Sequence, residues 1–408
     1  MPRSMHPVMN PGGYHVTSRT VDERMATLCT RCSRDPDLVS LIEEAGAVVA
    51  QCSVCKSNGV VALDAEDQQL IATIRALIRK YFNEWEYNTH WGGDGLGALF
   101  QRENPILNYD AGWLPIDIEE ATLPAVEEGY ETATLPISLF AGYYDGEQNM
   151  LLESLIHGDE ERFDSLLRRT RRENPYLIEP EVKSLLEPHL SVLRREIPAG
   201  IVVHRARIGF AERNYQVFER PGDAWFYLPF EGRALGAAPP VAAASGRMNR
   251  AGVSFLYAAS NQETALSEVR PHPGHVVSVG EFRSSRDLVV ADFNQVSIRN
   301  FSSSDERLVD YWFLLSIDRL FSVPLPPEER QSYVLSQLFA DVIRQLGFDG
   351  VSFHSSIGIG LNYAFFDASG FDYVVDSAQV LQVASLKYVN RPLKKLVQTD
   401  GDGRIPTG

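Results

Sequence analysis

The chain has 408 residues, a formal net charge of −16 and a hydrophobic content of 44%. This length predicts two or three domains, and this charge argues against unspecific binding to nucleic acid or anionic membranes, because such binding needs clustered Lys and Arg. No apolar run reaches the roughly 18 residues of a membrane span, and residues 1–14 lack the apolar core of a signal peptide. We therefore expect a soluble, cytoplasmic protein.

All four cysteines lie in two short motifs near the start of the chain. Two Cys-x-x-Cys pairs separated by about 20 residues are typical of a structural zinc site with four thiolate ligands. The alternatives are two disulfides or a redox motif, but disulfide frameworks belong to secreted chains and no thioredoxin-like strand and helix surround either pair. The stretch between the pairs is acidic or apolar, so nucleic-acid recognition is not expected. The predicted ligands, within a zinc-binding module at residues 1–65, are Cys29, Cys32, Cys52 and Cys55.

Residues 66–196 are predicted to form a helical domain. Between Gln68 and Glu86, apolar residues recur at spacings of three and four, which predicts an amphipathic helix. Residues 104–137 are rich in proline, glycine and acidic residues and predict an irregular connector. Pro180 lies near the first turn of the last predicted helix, where proline is tolerated. The further predicted helices are Glu147–Ile156, Asp159–Arg171 and Glu179–Arg195.

From Ile197 onward, short β-branched runs alternate with helical patterns, which predicts an α+β fold with a mixed or antiparallel curved sheet. Helices are predicted over Glu263–Arg270, Leu308–Phe321 and Tyr333–Leu346, the last followed by Gly347 as its left-handed cap. The second of these helices carries Tyr311, Trp312 and Phe313, which favour a core position over a cofactor-binding one. The predicted strands are Ile201–Val203, Val276–Val279, Leu288–Ala291 and Tyr373–Val375.

Three motifs in this region carry side chains suited to chemistry on a dinucleotide. They are HRAR at 204–207, GRMN at 246–249 followed by Tyr257 and ETALSE at 263–268, and FHSS at 353–356 ahead of Asn362. Guanidinium groups bind phosphate oxygens bidentately. A carboxylate beside a ribose stabilises an oxocarbenium-like cation, and a tyrosine can stack on a ring or bind a hydroxyl. Each residue alone has an ordinary structural alternative, such as an exposed strand arginine or a turn serine.

In their joint order, these motifs resemble the RES domain, a family named for its arginine, glutamate and serine. The resemblance implies a domain at about residues 197–390, followed by a flexible tail at 391–408, with an ADP-ribosyltransferase-like fold that binds NAD+ in a cleft between two small sheets. It assigns the three name-giving roles to Arg205, Glu268 and Ser355. It makes Arg247 and Tyr257 further pocket residues and leaves Ser356 as an alternative position of the family's serine. The chemistry of the guanidinium group makes Arg205, Arg207 and Arg247 the candidates for binding the phosphates of NAD+.

The same resemblance implies cleavage of the nicotinamide–ribose bond of NAD+. Water as acceptor gives a glycohydrolase, inorganic phosphate a phosphorylase, and a protein side chain an ADP-ribosyltransferase. A toxin or anti-phage role is also implied, with NAD+, an antitoxin or activator protein and a second copy of the chain as the expected partners. The alternative of a different class is an inactive RES-fold binding module that uses the zinc module as its contact surface.

The helical region resembles the N-terminal domain that accompanies some RES domains and is grouped with the HEPN proteins. Residues 87–93 (YNTHWGG) and 103–106 (ENPI) carry this resemblance. HEPN ribonucleases need an Arg followed after four to six residues by a His on a helix. The spacing occurs only at Arg270 and His275, where Pro271 and Pro273 exclude a helix. Ribonuclease activity is therefore not expected.

Overall fold

The computed structural model describes residues 26–89, 92–100, 103–108, 126, 153–156, 160–216, 224–323 and 333–387. The chain forms two compact units, Met1–Arg195 with Val290–Phe348, and Glu196–Val289 with Asp349–Gly408. A segment of the first unit therefore interrupts the second along the chain. The domain boundaries at residues 65 and 196 stay predictions, and the tail at 391–408 lies outside the described residues.

Helices and strands both occur in each unit, so the predicted α+β class is confirmed. The helices are α1 (Pro36–Ala45), α2 (Gln68–Tyr81), α3 (Glu84–Tyr87), α4 (Leu96–Phe100), α5 (Glu161–Arg169), α6 (Pro175–Leu186), α7 (Leu190–Leu193), α8 (Gly232–Leu235), α9 (Gln262–Glu268), α10 (Asp305–Ser322) and α11 (Val334–Gln345). The strands are β1 (Thr27–Cys29), β2 (Ala47–Gln51), β3 (Asn58–Asp64), β4 (Arg194–Ile197), β5 (Val202–Ile208), β6 (Glu212–Gln216), β7 (Ala224–Leu228), β8 (Leu256–Ala259), β9 (Val276–Ser284), β10 (Leu288–Asp292), β11 (Gly350–His354), β12 (Leu361–Phe365), β13 (Phe371–Tyr373) and β14 (Gln379–Gln382).

The first unit starts with an antiparallel sheet in the order β1-β3-β2. Helix α1 connects β1 to β2, and it begins where the Asp35 side chain accepts a hydrogen bond from the Asp37 N–H, a standard N-cap. Helix α2 begins in the same way at Asp67. Both helices bury an apolar face, as their residue spacing predicts.

Two predicted helices of the first unit have wrong boundaries. The helix predicted over Gln68–Glu86 is two helices, because Phe82 is extended and Asn83 starts α3 as a new cap. The helix predicted over Glu179–Arg195 begins earlier, at α6, where Asn174 is the N-cap and Pro175 takes the first-turn position. Pro180 therefore lies inside a helix.

Of the other two helices predicted before residue 196, one is observed and one lies largely outside the described residues. The helix predicted over Asp159–Arg171 is α5. The one over Glu147–Ile156 lies largely outside the described residues, and its described end is a turn. In α10, Tyr311, Trp312 and Phe313 are all buried, which confirms the core prediction. Gly347 has φ 90°, as a left-handed cap requires.

The second unit contains an antiparallel arrangement in which the strands lie in the order β13-β9-β5-β8-β12-β11, with β14 also paired to β9. Strands β6 and β7 form a separate two-stranded hairpin. Helix α9 packs on the sheet through Ala265, which lies in one core cluster with Ala206 of β5 and Ala259 of β8. This packing brings the C-terminal end of α9, and with it Glu268, to the sheet.

Candidate active site

Arg205 and Arg207 lie on β5, two residues apart. The guanidinium of Arg205 donates to two backbone carbonyls, from Nε to Leu235 O at 2.7 Å and from Nη1 to Tyr257 O. Burial, with the charge of Arg207 as a smaller cause, lowers the pKa of Arg205 to about 10, so the side chain stays charged at neutral pH. Arg207 is exposed, lies over the Phe230 ring at 4.5 Å and donates to the Ala234 carbonyl.

The turn at residues 246–249 is held by a buried hydrogen-bond network. The amide Nδ2 of Asn249 donates to three backbone carbonyls, at distances of 2.9 to 3.1 Å. Its Oδ1 accepts from the hydroxyl of Tyr257 at 2.9 Å, and that hydroxyl accepts from the Met248 N–H at 3.0 Å. At Gly246, a Cβ atom would overlap Asn249 Oδ1, so only glycine fits.

This network also constrains Tyr257. Burial raises the pKa of Tyr257 to about 12, so its hydroxyl is neutral at physiological pH and cannot act as a base. Both hydrogen bonds of the hydroxyl serve the turn that carries Arg247. The guanidinium carbon of Arg247 lies 5.8 Å from the ring centroid of Phe353.

Glu268 is the last residue of α9 and is partly exposed. The α9 N-terminus is fixed by Asn261, whose side chain accepts from the Thr264 N–H at 2.8 Å. A carboxylate in the last turn of a helix faces the negative end of the helix dipole, which is unfavourable unless donors compensate it. Two donors do so here. Ser355 Oγ donates to Glu268 Oε1 at 2.7 Å, and Asn362 Nδ2 donates to the same oxygen at 2.6 Å.

The loop between β11 and β12 positions Ser355. The Ser355 Oγ accepts hydrogen bonds from the Gly358 N–H at 2.8 Å and the Ile357 N–H at 3.4 Å, so its hydroxyl hydrogen is available to Glu268. The loop is anchored on α9, since the Gly360 N–H donates to Thr264 Oγ1 at 3.0 Å. A Cβ at Gly358 would lie 2.8 Å from the Thr264 side chain, so this close approach requires glycine.

The structure thus brings Glu268 and Ser355 into direct contact, and it adds Asn362, which the sequence motif contained without an assigned role. Asn362 is 5% exposed and lies in the middle of the sheet, opposite Ala259 on β8 and Phe353 on β11. The sequence contained a signal for this contact. An asparagine at the start of an apolar, aromatic strand is expected to be buried, and a buried polar side chain needs a hydrogen-bond partner. Ser356 is exposed beside Ser355.

The four cysteines of the first unit also come together. The Sγ–Sγ distances are 3.6 Å for Cys29–Cys32, 3.5 Å for Cys29–Cys55 and 3.9 Å for Cys32–Cys52. These thiols are free, and the distances are far longer than a disulfide bond. A Zn–S bond of about 2.3 Å implies about 3.8 Å between tetrahedral ligands, which matches this cluster. Burial raises the pKa of the Cys29 thiol to about 11, an effect that a bound cation reverses.

Comparison with known families finds a match that lies mostly in the second unit. Residues 213–387 match the model of the RES domain. The match covers a little under half of the chain, and this part of the chain is similar to RES domains. The matched range includes Arg247, Tyr257, Glu268 and Ser355, and it begins after Arg205 and Arg207. The RES resemblance read from the motifs is therefore confirmed, whereas the roles of the individual residues stay predictions.

A chain in the crystal structure of the M. tuberculosis MbcT–MbcA toxin–antitoxin complex is similar over 50% of this chain and 92% of its own length, with 11% identity and a TM-score of 0.26. None of the curated proteins is significantly similar. Within the part of the chain that the structure describes, no helix has both the length and the apolar character needed to cross a membrane.

Proposed function

We propose that the RES domain of this protein cleaves the bond between nicotinamide and ribose in NAD+. The observation that carries this proposal is the contact of Ser355 and Asn362 with one oxygen of Glu268. A carboxylate held in one orientation by two donors is preorganised to stabilise a cationic sugar, since it need not reorient as charge develops. The family supports NAD+ as the substrate, because RES domains act on NAD+.

In the proposed reaction, the C1′–N bond breaks and its electron pair leaves with nicotinamide, which becomes neutral. The ribose becomes an oxocarbenium-like cation, and Glu268 stabilises it across a short distance. An acceptor then bonds to C1′ and loses its proton. Ser355 is a positioning residue rather than a nucleophile, because its hydroxyl donates to Glu268 and accepts from its own loop.

The phosphate contacts are proposed for Arg207 and Arg247. Arg207 is exposed, and Arg247 lies on the turn that Asn249 and Tyr257 hold. Arg205 contributes differently, because its described hydrogen bonds go to the Leu235 and Tyr257 carbonyls and tie β5 to β8. We assign Arg205 a positioning role and leave the pyrophosphate to the other two arginines.

The acceptor is tested by incubating the purified protein with NAD+, with and without inorganic phosphate, and identifying the products by mass. Free ADP-ribose supports a glycohydrolase, and ADP-ribose 1″-phosphate formed only with phosphate supports a phosphorylase. A mass increase on a protein supports an ADP-ribosyltransferase. If no nicotinamide is released under any of these conditions, the proposal fails and the binding-module alternative gains support.

We also propose a toxin or defence role with a restraining antitoxin or activator. Depletion of NAD+ is harmful to any cell, so a cleaving enzyme needs restraint. Expression of the wild-type chain in a bacterial host should stop growth and lower cellular NAD+, whereas expression of Glu268→Gln should not. Normal growth together with normal NAD+ levels would argue against this role.

The cysteine cluster is proposed to bind one structural Zn²⁺ through Cys29, Cys32, Cys52 and Cys55. Four thiolates fill a tetrahedral site and leave no position for a reactive water. Metal analysis of the purified chain should give one zinc per chain, and Cys52→Ser should lower that content and the melting temperature. A change at an exposed serine outside the cluster, Ser303→Ala, should do neither. A metal-free wild-type chain with an unchanged melting temperature contradicts the assignment.

A further inference from the structure

Asn362 occupies a place where its side chain has little freedom. It lies on β12 between β8 and β11, and it is 5% exposed. Its amide Nδ2 donates to Glu268 Oε1 at 2.6 Å. Because both neighbouring strands fix the backbone of β12, this donor is more rigidly placed than Ser355, which lies in the loop after β11.

The two donors meet on one oxygen of the carboxylate. Ser355 Oγ and Asn362 Nδ2 both bond to Oε1, and in the described part of the chain no donor bonds to Oε2. The carboxylate cannot rotate about its terminal bond without losing both hydrogen bonds. A fixed carboxylate therefore presents Oε2 in one direction.

We infer that Asn362 is a positioning residue that orients Glu268 and leaves Oε2 as the oxygen that stabilises the sugar cation. This inference rests on the proposed NAD+ cleavage and adds a residue to its machinery. The amide suits the task because it donates without adding charge. A lysine would neutralise the carboxylate, and a carboxylate at this position would repel it.

The test uses the full-length chain with two substitutions. Asn362→Asp keeps the shape but places a second carboxylate against Glu268. We expect kcat for nicotinamide release at pH 8 to fall about tenfold or more, with KM for NAD+ changed by less than about twofold. Toward acid pH, one proton shared between the two carboxylates restores the hydrogen bond, so activity should partly recover. Asn362→Leu removes the donor at every pH and should show no recovery.

Asn174→Asp is the matched control. Asn174 is the N-cap of α6 in the first unit, where Asp caps equally well, so the same amide-to-carboxylate change should leave kcat and its pH profile unaltered. Wild-type kcat in Asn362→Asp at pH 8 overturns the inference. A loss of equal size at every pH overturns it as well, because a merely structural defect has no acid recovery.

A second measurement tests the pairing without turnover. Asn362→Asp should lower the melting temperature at pH 8 in the wild-type background and should lower it less in the Glu268→Gln background, because the repulsion is then removed. Equal losses in both backgrounds overturn the inference. If the wild type releases no nicotinamide, the proposed function fails. The double-mutant cycle of melting temperatures would still show whether Asn362 and Glu268 interact.

Discussion

Glu268 combines an unfavourable place, the last turn of α9, with two hydrogen-bond donors that compensate it. A neutral or basic residue would be more favourable at this position, so the two donors are what makes a carboxylate tolerable here. The side chain can act only through its charge and orientation. Mutation can remove the charge of Glu268, as in Glu268→Gln, or one donor that fixes its orientation, as in Asn362→Leu.

Glu268→Gln keeps the size of the side chain and removes its charge. We expect kcat for NAD+ cleavage to fall about a hundredfold or more, because one preorganised electrostatic group is lost. Steady-state kinetics of nicotinamide release measure this. Glu263→Gln, an exposed change in the first turn of the same helix, is the control and should keep wild-type kcat. Full activity in Glu268→Gln would remove this residue from the mechanism.

Arg205 and Arg247 should respond differently to removal. Arg205→Ala leaves two backbone carbonyls without their donor and should lower the free energy of unfolding by about 1 to 3 kcal/mol. Arg247→Ala should raise KM for NAD+ about tenfold or more, because a charge-assisted phosphate contact is lost. Urea unfolding and steady-state kinetics separate the two effects. If Arg205→Ala keeps wild-type stability and raises KM, Arg205 binds the phosphates as the RES resemblance implied.

At the scale of elements, the loop 355–360 joins α9 to the β11–β12 hairpin. Its glycines allow the backbone to approach α9 at van der Waals distance, and its N–H groups set the position of Ser355. The periodicity of helices and strands carries no information about this loop. Its geometry follows from the packing of three elements on one another.

Gly360→Ala tests this element. The added Cβ would lie 2.5 Å from Ser260 Oγ and 2.7 Å from Thr264 Oγ1, so the loop must shift away from α9. We expect kcat to fall about tenfold as Ser355 loses its position, with only a modest loss of melting temperature. Ile359→Ala, at a side chain that is 89% exposed in the same loop, is the control and should have no effect. Unchanged kinetics in Gly360→Ala would mean that the loop does not position the site.

At the scale of the whole molecule, the first unit is built from two parts of the chain that are far apart in sequence. Arg79, which is 2% exposed, pairs with Asp305 at 2.8 Å, and Arg162 pairs with Asp310 at 2.8 Å. The ring of Phe163 stacks on Phe339 at 6.5 Å. Residues 290–348 therefore depend on residues 26–195 for burial.

A fragment that starts at residue 196 should not fold like the full chain. It keeps α10 and α11 but removes α5 and α6, which pack on them, so large side chains such as Phe339 lose their cover. We expect weak near-ultraviolet circular dichroism and strong binding of a hydrophobic dye. A fragment covering residues 26–387 is the control and should give one or more cooperative unfolding transitions. A native spectrum from the shorter fragment would contradict the two-part construction of the first unit.

The sequence by itself was sufficient for features that depend on local spacing. The four-cysteine pattern, the apolar stripe of α2 and the cap at Gly347 are short-range patterns, and each predicted an observed feature. The motifs at 246–268 and 353–356 lie within the range that matches the RES model, whereas the motif at 204–207 precedes it. Helix ends were less predictable from the sequence. Several neighbouring residues could have been the N-cap, and packing determined that the caps are Asn83 for α3 and Asn174 for α6. Only the tertiary structure decided which side chains pair. In the structure, Arg205 donates to two backbone carbonyls and Asn362 donates to Glu268. These partners were not predictable from the sequence, because hydrogen bonds across strands and loops depend on register and packing rather than on sequence distance.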